Sequence, residues 1–217
     1  MRPYSDPSSD PPVRGFLHEP AANATNAGLV LTHGAGADCE SPLLVALAEA
    51  FSAAGFAVLR CDLPFRQQRP HGPPFNSAKQ DQAGLRTAVE SLRRALTPAR
   101  IYLGGHSYGG RQATMLAAAE PEVADALLLL SYPLHPPRKP EQLRTQHFPQ
   151  LRTPALFVHG ARDPFGSLDE LTAALQPIPA RSHILQIESA GHELLTKTNR
   201  ETLPSQIVET FLTFATS

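Results

Sequence analysis

Gly105-His106-Ser107-Tyr108-Gly109 decides the fold prediction, because it joins a strand-like run to a helix-like run. The residues from Arg100 to Leu103 are typical of a strand, and those from Arg111 to Ala119 are typical of a helix. Between such elements, Gly-x-Ser-x-Gly is typical of a nucleophile elbow, a sharp turn that exposes a serine hydroxyl. A larger side chain at either glycine is expected to collide with the adjoining strand or helix. The stretch therefore predicts that Ser107 is a nucleophile.

Ser107 needs a histidine to take its proton and an acid to orient that histidine. In enzymes with this elbow, the acid and then the histidine follow the serine along the chain. Of the two late histidines, His183 lies in the alternating run from Ser182 to Ile187 and is interpreted as a strand residue. His192 ends the small-residue loop Ser189-Ala190-Gly191-His192, where a side chain can turn toward the serine. We therefore predict that His192 is the general base.

The acid is expected at the carboxyl edge of a parallel sheet, where ligands bind in folds of this kind. Asp163 meets this condition, because it follows the strand-like run from Ala155 to Val158. Asp125 instead precedes its strand, and Asp169 suits the first turn of a helix. Glu188 is a weaker substitute immediately before the histidine loop. Asp163 is therefore the predicted third member of a catalytic triad.

Such a nucleophile also needs two N–H donors for the oxygen that becomes negative in the tetrahedral intermediate. The N–H of Tyr108, directly after the nucleophile, is the expected first donor. The strand-like run from Gly28 to Thr32 leads into His33-Gly34-Ala35-Gly36, and Ala35 is the candidate for the second donor. The same residues are also compatible with a simple turn into the following helix.

The segments around the serine bear on the substrate. Tyr132 to Thr153 is the only room for a lid, and its shortness predicts a shallow, open cleft with at most a minimal cap. Arg66 and Arg69, in the loop from Pro64 to Pro74, and Arg111, one turn after the nucleophile, are candidates for binding an anionic substrate group. The alternative that each is a solvated charge, or pairs with a local acid, stays open.

These motifs together resemble the small α/β-hydrolases, from roughly Arg14 to Phe214. Within that superfamily, residues 31–38, 63–66 and 104–111 are similar to one bacterial hydrolase-like branch, which also occurs in a regulatory subunit of a metazoan histone-acetyltransferase complex. Dienelactone hydrolases are more distant relatives and use a cysteine as the nucleophile. The resemblance implies a mainly parallel central sheet with helices on both faces and esterase-like chemistry. Some members of the branch are known for roles in complexes.

The runs between the motifs agree with this fold class, since strand-like and helix-like segments alternate as in a parallel α/β sheet. Ser41-Pro42 is expected to begin a helix with a capping oxygen and a proline in the first turn, and Gly55 to end it. A second amphipathic helix is expected to stop at Pro98. A final helix from Ile207 to Phe214 is expected to dock on the sheet.

Length, charge and cysteine content favour one catalytic domain. We predict a disordered tail over residues 1–13 and a single α/β-hydrolase domain over residues 14–217, because two full domains would both be undersized. The net charge of −1 offers no basic surface for nucleic acid, and no stretch approaches the ~20 apolar residues that span a bilayer. Cys39 and Cys61 lack a paired or metal-ligand spacing, which favours reduced thiols and a cytoplasmic location.

The sequence therefore predicts a serine hydrolase that cleaves small carboxylic esters or thioesters through an acyl-enzyme on Ser107. This chemistry requires neither a metal nor an organic cofactor. A small-molecule acyl substrate is the expected partner, and association into a homo-oligomer stays open. The alternatives are a hydrolase-fold interaction protein of weak or no activity, and a peptidase or acyltransferase that uses the same triad.

Overall fold

One eight-stranded sheet organises the residues that the computed structural model describes, which are 1–20 and 24–216. The strands are β1 (Arg2–Asp6), β2 (Val13–His18), β3 (Ala27–Thr32), β4 (Ala57–Cys61), β5 (Arg100–His106), β6 (Ala126–Leu130), β7 (Ala155–Gly160) and β8 (Ser182–Ile187). In space they follow the order β1-β2-β4-β3-β5-β6-β7-β8. The neighbours from β4 to β8 are parallel, whereas the pairs β1–β2 and β2–β4 are antiparallel. The predicted mainly parallel sheet is confirmed.

Helices cover both faces of this sheet, as predicted. Those of the described residues are α1 (Pro42–Ala53), α2 (Pro64–Gln68), α3 (Ala78–Leu96), α4 (Tyr108–Ala119), α5 (Leu168–Leu175) and α6 (Leu203–Thr216). On one face α1 and α6 meet through Phe51 and Phe211, whose ring centroids lie 5.7 Å apart. On the other face α3, α4 and α5 bury Leu92, Leu116 and Leu171. The sheet is thus shielded from water on both sides, as parallel strands require.

The ends of the first helix follow from local sequence. Pro42 lies in the first turn of α1, and Ser41 is the N-cap residue. The expected capping oxygen is wrong, because the Ser41 side chain makes no capping hydrogen bond. Gly55 follows the helix at a φ of 94°, a left-handed conformation that glycine adopts without steric cost. The predicted loop from Pro64 to Pro74 is wrong in its first half, because residues 64–68 form α2.

The prediction of a disordered tail over residues 1–13 is wrong. Residues 2–6 form β1, which pairs with β2 along its whole length. Asp6 at its end accepts hydrogen bonds from the side chains of Ser91 and Arg94 on α3. Composition missed this edge strand because backbone hydrogen bonds, which almost any sequence can make, hold it in place.

Parallel pairing determines where the site lies. The carboxyl ends of β3, β5, β7 and β8 point to the same edge of the sheet, so the loops that follow them meet there. In open α/β sheets this edge is where ligands bind.

Three further expectations from the sequence concern the cysteines, membrane-spanning segments and the bounds of the domain. Cys39 and Cys61 are both free and buried. None of the helices in the described ranges combines the length and the apolar character needed to cross a bilayer. The predicted domain over residues 14–217 includes residues 21–23 and 217, which lie outside the described residues.

Candidate active site

Ser107 lies at the turn between β5 and α4. Its φ of 50° and ψ of −113° form a strained backbone conformation for a residue that carries a side chain. The Ser107 N–H donates to the carbonyl oxygen of Leu130 at 2.8 Å, and the Ser107 carbonyl accepts from the N–H of Arg111 at 3.0 Å. These two hydrogen bonds fix the turn from both sides and hold the serine at the carboxyl edge of the sheet.

The predicted need for glycine around Ser107 is confirmed. A Cβ atom at Gly105 would lie 2.7 Å from backbone atoms of Gly109 and Gly110. A Cβ atom at Gly109 would lie 2.5 Å from the carbonyl oxygen of His33. Real Cβ atoms essentially never come within 3.0 Å of such atoms, so the elbow closes only without side chains at these positions.

The structure brings Ser107, His192 and Asp163 within hydrogen-bonding reach of one another. The Nε2 atom of His192 lies 2.8 Å from the Ser107 Oγ atom. Its Nδ1 atom lies 3.0 and 2.9 Å from the two carboxylate oxygens of Asp163. A carboxylate only accepts, so Nδ1 carries the proton and Nε2 is left to accept from the serine hydroxyl. The Asp163 side chain is fully buried, whereas that of His192 is 15% exposed.

The loops that carry Asp163 and His192 are bonded to each other. The N–H of Arg162 donates to the carbonyl oxygen of Ala190 at 3.0 Å. The N–H of Ala161 donates to the carbonyl oxygen of Ile187 at 3.1 Å. Gly160 permits this approach, because a Cβ atom there would lie 2.4 Å from the Gly191 carbonyl oxygen. The distance between the acid and the histidine is therefore set by backbone contacts and not by the two side chains alone.

Sequence reasoning missed two residues that hold the His192 ring. The Phe165 ring packs against it with centroids 4.2 Å apart, and the Phe165 N–H donates to Asp163 at 2.9 Å. The buried His106 donates from Nε2 to the His192 carbonyl oxygen at 2.9 Å. Burial lowers the pKa of His106, so its ring is a neutral donor. An aromatic residue two positions after the acid was the available signal for Phe165.

The loop after β3 passes close to the serine. A Cβ atom at Gly34 would lie 3.5 Å from the Cβ atom of Ser107. His33 fixes the loop, because Nδ1 donates to the Gly34 carbonyl oxygen at 2.8 Å and Nε2 accepts from the N–H of Leu63 at 3.1 Å. Burial lowers the pKa of His33, which favours the neutral ring that these two bonds require. Ala35, the candidate second donor, lines the cleft beside Ser107.

The predicted oxyanion donors are not engaged elsewhere. Neither the Ala35 N–H nor the Tyr108 N–H donates a hydrogen bond to any residue within 1–20 and 24–216. Tyr108 is the first residue of α4, where N–H groups lack intrahelical partners and favour negative charge. Two free donors therefore belong to residues that line the same cleft as Ser107.

Two of the three arginines predicted to bind an anionic group do not line the cleft. Arg66 is 5% exposed, and its guanidinium donates to four backbone carbonyls, those of Ala35, Ala37, Arg69 and Gly72. The prediction that Arg66 binds an anionic substrate group is wrong, because these carbonyls already occupy the N–H donors of its guanidinium. Arg69 is exposed and lies outside the cleft lining.

The cleft at Ser107 has a volume of about 370 Å³. Its lining consists of Ala35, Pro73, Pro74, Ser107, Tyr108, Arg111, Pro133, Arg144 and Phe165. Arg111 is the predicted arginine that does reach it, and Arg144 is one that sequence reasoning missed. The segment from Tyr132 to Thr153 contributes Pro133 and Arg144 to the rim but buries Phe148 and Leu151 in the core. It therefore forms a wall of the cleft and not a separate cap.

Comparison with known proteins agrees with this geometry. Residues 25–215 match the family model described as an alpha/beta hydrolase domain. A Haemophilus influenzae protein that carries the provisional name esterase/lipase is 30% identical over 114 residues. That alignment covers 52% of this chain and 37% of the relative, so the chain spans well under half of the relative's length.

Solved structures share the fold. Est1E from Butyrivibrio proteoclasticus superposes with a TM-score of 0.79 at 18% identity, over 100% of each chain. Dienelactone hydrolase from Anabaena variabilis superposes with a TM-score of 0.76 at 21% identity, over 99% of each chain. These likenesses confirm the predicted fold class, and the second shows that a dienelactone hydrolase shares this fold. The resemblance to the branch shared with a histone-acetyltransferase subunit stays a prediction.

Proposed function

Because the chain belongs to the alpha/beta hydrolase domain family, we propose that it is a serine hydrolase of small carboxylic esters or thioesters. The observation that carries the proposal is the continuous set of hydrogen bonds from Asp163 through His192 to the Ser107 hydroxyl. A neutral serine is a weak nucleophile, and an imidazole at hydrogen-bonding distance is the base that activates it. The name of the Haemophilus influenzae relative points to the same class of reaction.

In the first half of the reaction, Ser107 Oγ attacks the acyl carbon while His192 Nε2 takes the hydroxyl proton. Asp163 accepts from Nδ1 and stabilises the imidazolium that forms. Its buried carboxylate keeps the ring in the tautomer that leaves Nε2 free. The same Nε2–H then protonates the leaving alcohol or thiol as the tetrahedral intermediate collapses to an acyl-enzyme.

The carbonyl oxygen becomes negative in that intermediate, and the N–H groups of Tyr108 and Ala35 are the donors we assign to it. Loss of one such donor typically lowers kcat by about 10²–10³-fold. Both groups belong to backbone segments that are fixed by other contacts, so they need little reorganisation when charge develops. Tyr108 N–H also lies at the positive end of α4.

In the second half of the reaction, His192 removes a proton from water, which attacks the acyl carbon and releases the acid with Ser107 restored. Water can reach the acyl-enzyme because the cleft opens to solvent and the His192 side chain is partly exposed. A volume of about 370 Å³ suits a small acyl group. Apart from this water, the steps of the cycle are carried out by side chains and backbone groups of this chain.

The proposal is tested by the hydrolysis of a para-nitrophenyl ester of a short-chain acid. Wild type is expected to turn over the ester, and Ser107→Ala is expected to lose at least about 10³-fold in kcat. Ser5→Ala is the control, since Ser5 lies in β1 away from the cleft. Equal rates for wild type and Ser107→Ala would remove Ser107 from the mechanism.

A fluorophosphonate probe separates the hydrolase from an inactive interaction protein of the same fold. The probe labels a serine only when a neighbouring base activates it. Wild type is expected to be labelled at Ser107 and His192→Ala to remain unlabelled. A folded wild-type protein that takes up no probe would favour the interaction protein. A panel of amide and amine acceptors then distinguishes a peptidase or an acyltransferase, which share the acyl-enzyme.

A further inference from the structure

Two arginines line the cleft beside Ser107 without any acidic side chain. Arg111 and Arg144 are the only side chains in the lining that carry a permanent charge, and the other members are Ser, Tyr, Ala, Pro and Phe residues. The nearby carboxylate of Asp81 is already occupied, because it accepts from the Tyr108 hydroxyl at 2.7 Å and from the Ser77 hydroxyl at 2.7 Å. The cleft therefore carries an excess of positive charge directly beside the nucleophile.

Arg111 has no partner for its guanidinium among residues 1–20 and 24–216. Its Nε atom is buried and makes no hydrogen bond there, and the guanidinium forms no ion pair. Arg111 lies in the first turn of α4, four residues after Ser107, and both residues line the same cleft. A buried donor without a partner is unfavourable, and such groups in native proteins call for an explanation.

Arg144 reaches the cleft from the segment between Tyr132 and Thr153. Its backbone is fixed, because its N–H donates to Leu134 and its carbonyl accepts from the Tyr132 hydroxyl at 2.6 Å. Its guanidinium has one long contact, 3.4 Å to the Pro133 carbonyl oxygen, and no acidic partner among the described residues. Burial, and after it the charge of Arg111, lowers the pKa of Arg144. Two like charges are thus held close together and partly out of water.

Such an arrangement is unfavourable for the free protein and favourable for an anionic ligand. Two partly desolvated guanidinium groups repel each other, and an anion placed between them relieves that repulsion. Each guanidinium presents a planar set of donors that matches the two oxygens of a carboxylate. The contrast with the buried Arg66, whose donors are taken by carbonyls, shows that arginines in this region can be satisfied internally.

We infer that Arg111 and Arg144 form an anion subsite, and that the preferred substrates are esters or thioesters that carry a carboxylate within reach of Ser107. The inference rests on the proposed serine hydrolase function and gives it a substrate class. The carboxylate binds to the two guanidinium groups, and the scissile carbonyl then lies at Ser107 in the same cleft. Binding at this subsite orients the ester for attack.

Matched pairs of chromogenic esters test the subsite. The first pair places the charge on the acyl side: the half-ester para-nitrophenyl hydrogen adipate and its neutral methyl ester. The second pair places it on the leaving group: para-acetoxybenzoate and its methyl ester. In at least one pair, wild type is expected to show a kcat/KM at least about tenfold higher for the charged ester, since a hydrogen bond to a charged group contributes about that factor.

Substitution of the arginines is expected to abolish this preference. Arg111→Met and Arg144→Met should each lower the ratio of charged to neutral kcat/KM about tenfold or remove it, and Arg144→Lys should keep part of it. Arg152→Met is the matched control, because Arg152 is exposed, belongs to the same segment as Arg144 and lies outside the cleft lining. It removes the same net charge and should leave the ratio unchanged within about twofold.

The outcomes separate the subsite from the reaction. If Ser107-dependent hydrolysis occurs with ratios near one in both pairs, or if the two Met variants leave the ratios unchanged, the subsite is refuted while the hydrolase stands. If no ester is cleaved and no fluorophosphonate is taken up, the hydrolase proposal fails.

Calorimetry with monomethyl adipate against dimethyl adipate then tests the subsite alone. Binding of the charged compound that is lost in Arg144→Met supports it, and no binding refutes it.

Discussion

Arginines near Ser107 differ in how many hydrogen-bond partners the protein gives to their guanidinium groups. On the side of the loop after β3, the Arg66 guanidinium donates to four backbone carbonyls, including that of Ala35 at 2.9 Å. On the side of the segment from Tyr132 to Thr153, the guanidinium groups of Arg111 and Arg144 share a cleft and have almost no protein partners. The residue type is the same, and the surroundings decide its role.

The difference shows which charges build the site and which are left for a ligand. Arg66 connects the loop of Ala35 to the loop of Gly72, so its hydrogen bonds hold backbone groups in place. Arg111 and Arg144 hold no loop, so their retention in a partly buried place gains nothing for the folded state alone. Functional sites commonly keep groups that are unfavourable for stability, and this pair has that character.

The largest effect is expected at Asp163, a buried charge that is fully paired like Arg66 but orients the histidine that takes the serine proton. Asp163→Asn replaces an acceptor by a group that can donate to Nδ1, which favours the wrong His192 tautomer. We expect kcat for a neutral ester to fall about 10⁴-fold while the fold is kept. Steady-state kinetics and circular dichroism measure both. Asp125→Asn, at the opposite end of the sheet, is the control. A fall of less than about tenfold would contradict the role of Asp163.

Arg66→Met is expected to give the next largest effect. Four carbonyls lose a charged donor, and the loop that carries Ala35 loses its support, so kcat should fall about 10²-fold for charged and neutral esters alike. The free energy of unfolding should fall by about 2–4 kcal/mol, since hydrogen bonds to charged groups contribute about 1.5–3 kcal/mol each and are not additive. Urea unfolding and kinetics with both ester types measure this.

The result for Arg66→Met distinguishes support of a loop from binding of a substrate. A loss confined to the charged ester would place Arg66 in contact with substrate and overturn the contrast between the two sides of Ser107. The exposed Arg69, whose carbonyl accepts from Arg66, provides the control. Arg69→Met keeps that carbonyl and should leave both stability and kcat within about twofold.

Arg111→Met and Arg144→Met are expected to change stability in the other direction. Each removes a partly desolvated charge near a like charge and keeps an apolar stem in the cleft wall. We expect the free energy of unfolding to stay constant or rise by up to about 1 kcal/mol, although the preference for charged esters is lost. Urea unfolding at low ionic strength is the measurement, because salt screens the repulsion. A loss above about 2 kcal/mol would show that these arginines hold the structure.

The sequence was sufficient to predict that Ser107, Asp163 and His192 lie close together, because the order and direction of the strands bring them to one edge of the sheet. Ser107 and Asp163 each follow a strand, and His192 lies in the loop after β8, so parallel pairing alone brings them to one edge. The flanking glycines of the elbow carry their own steric signal. These features are local in sequence, and the fold determines where they converge.

The roles of the arginines could not be read in the same way. Arg66 bonds to Ala35, which is 31 residues away, through a backbone carbonyl that has no sequence signature. Arg144 lies in a segment with other arginines, and no local pattern distinguishes it from Arg152, which lies outside the cleft lining. Edge strand β1 was missed for a related reason, since its backbone hydrogen bonds leave no apolar pattern. Long-range contacts made by the backbone are where sequence reasoning failed.

The smallest expected effect concerns His147, which lies near Arg111. Its Nε2 atom is 2.8 Å from the Thr114 hydroxyl, and its ring packs edge-on against Phe148. Burial, and after it the charge of Arg111, lowers the pKa of His147 from 6.5 to about 4. Between those two values the unfolded chain binds the proton more strongly than the folded chain does. The contribution of His147 to the free energy of unfolding is therefore complete above pH 6.5 and is lost as the pH falls toward 4.

Arg111→Met removes the smaller of the two causes, so the pKa of His147 should rise partway toward 6.5. The decline in the free energy of unfolding with falling pH should become shallower by the same reasoning. Histidine titration by NMR measures the first effect, and urea unfolding between pH 7 and pH 4 measures the second. His18 is the internal control, because its pKa of about 4 is set by burial and by Arg60 and should not move. An unchanged pKa of His147 in Arg111→Met would mean that the charge of Arg111 is already neutralised in the free protein. The contrast between Arg111 and Arg66 would then lose its electrostatic basis.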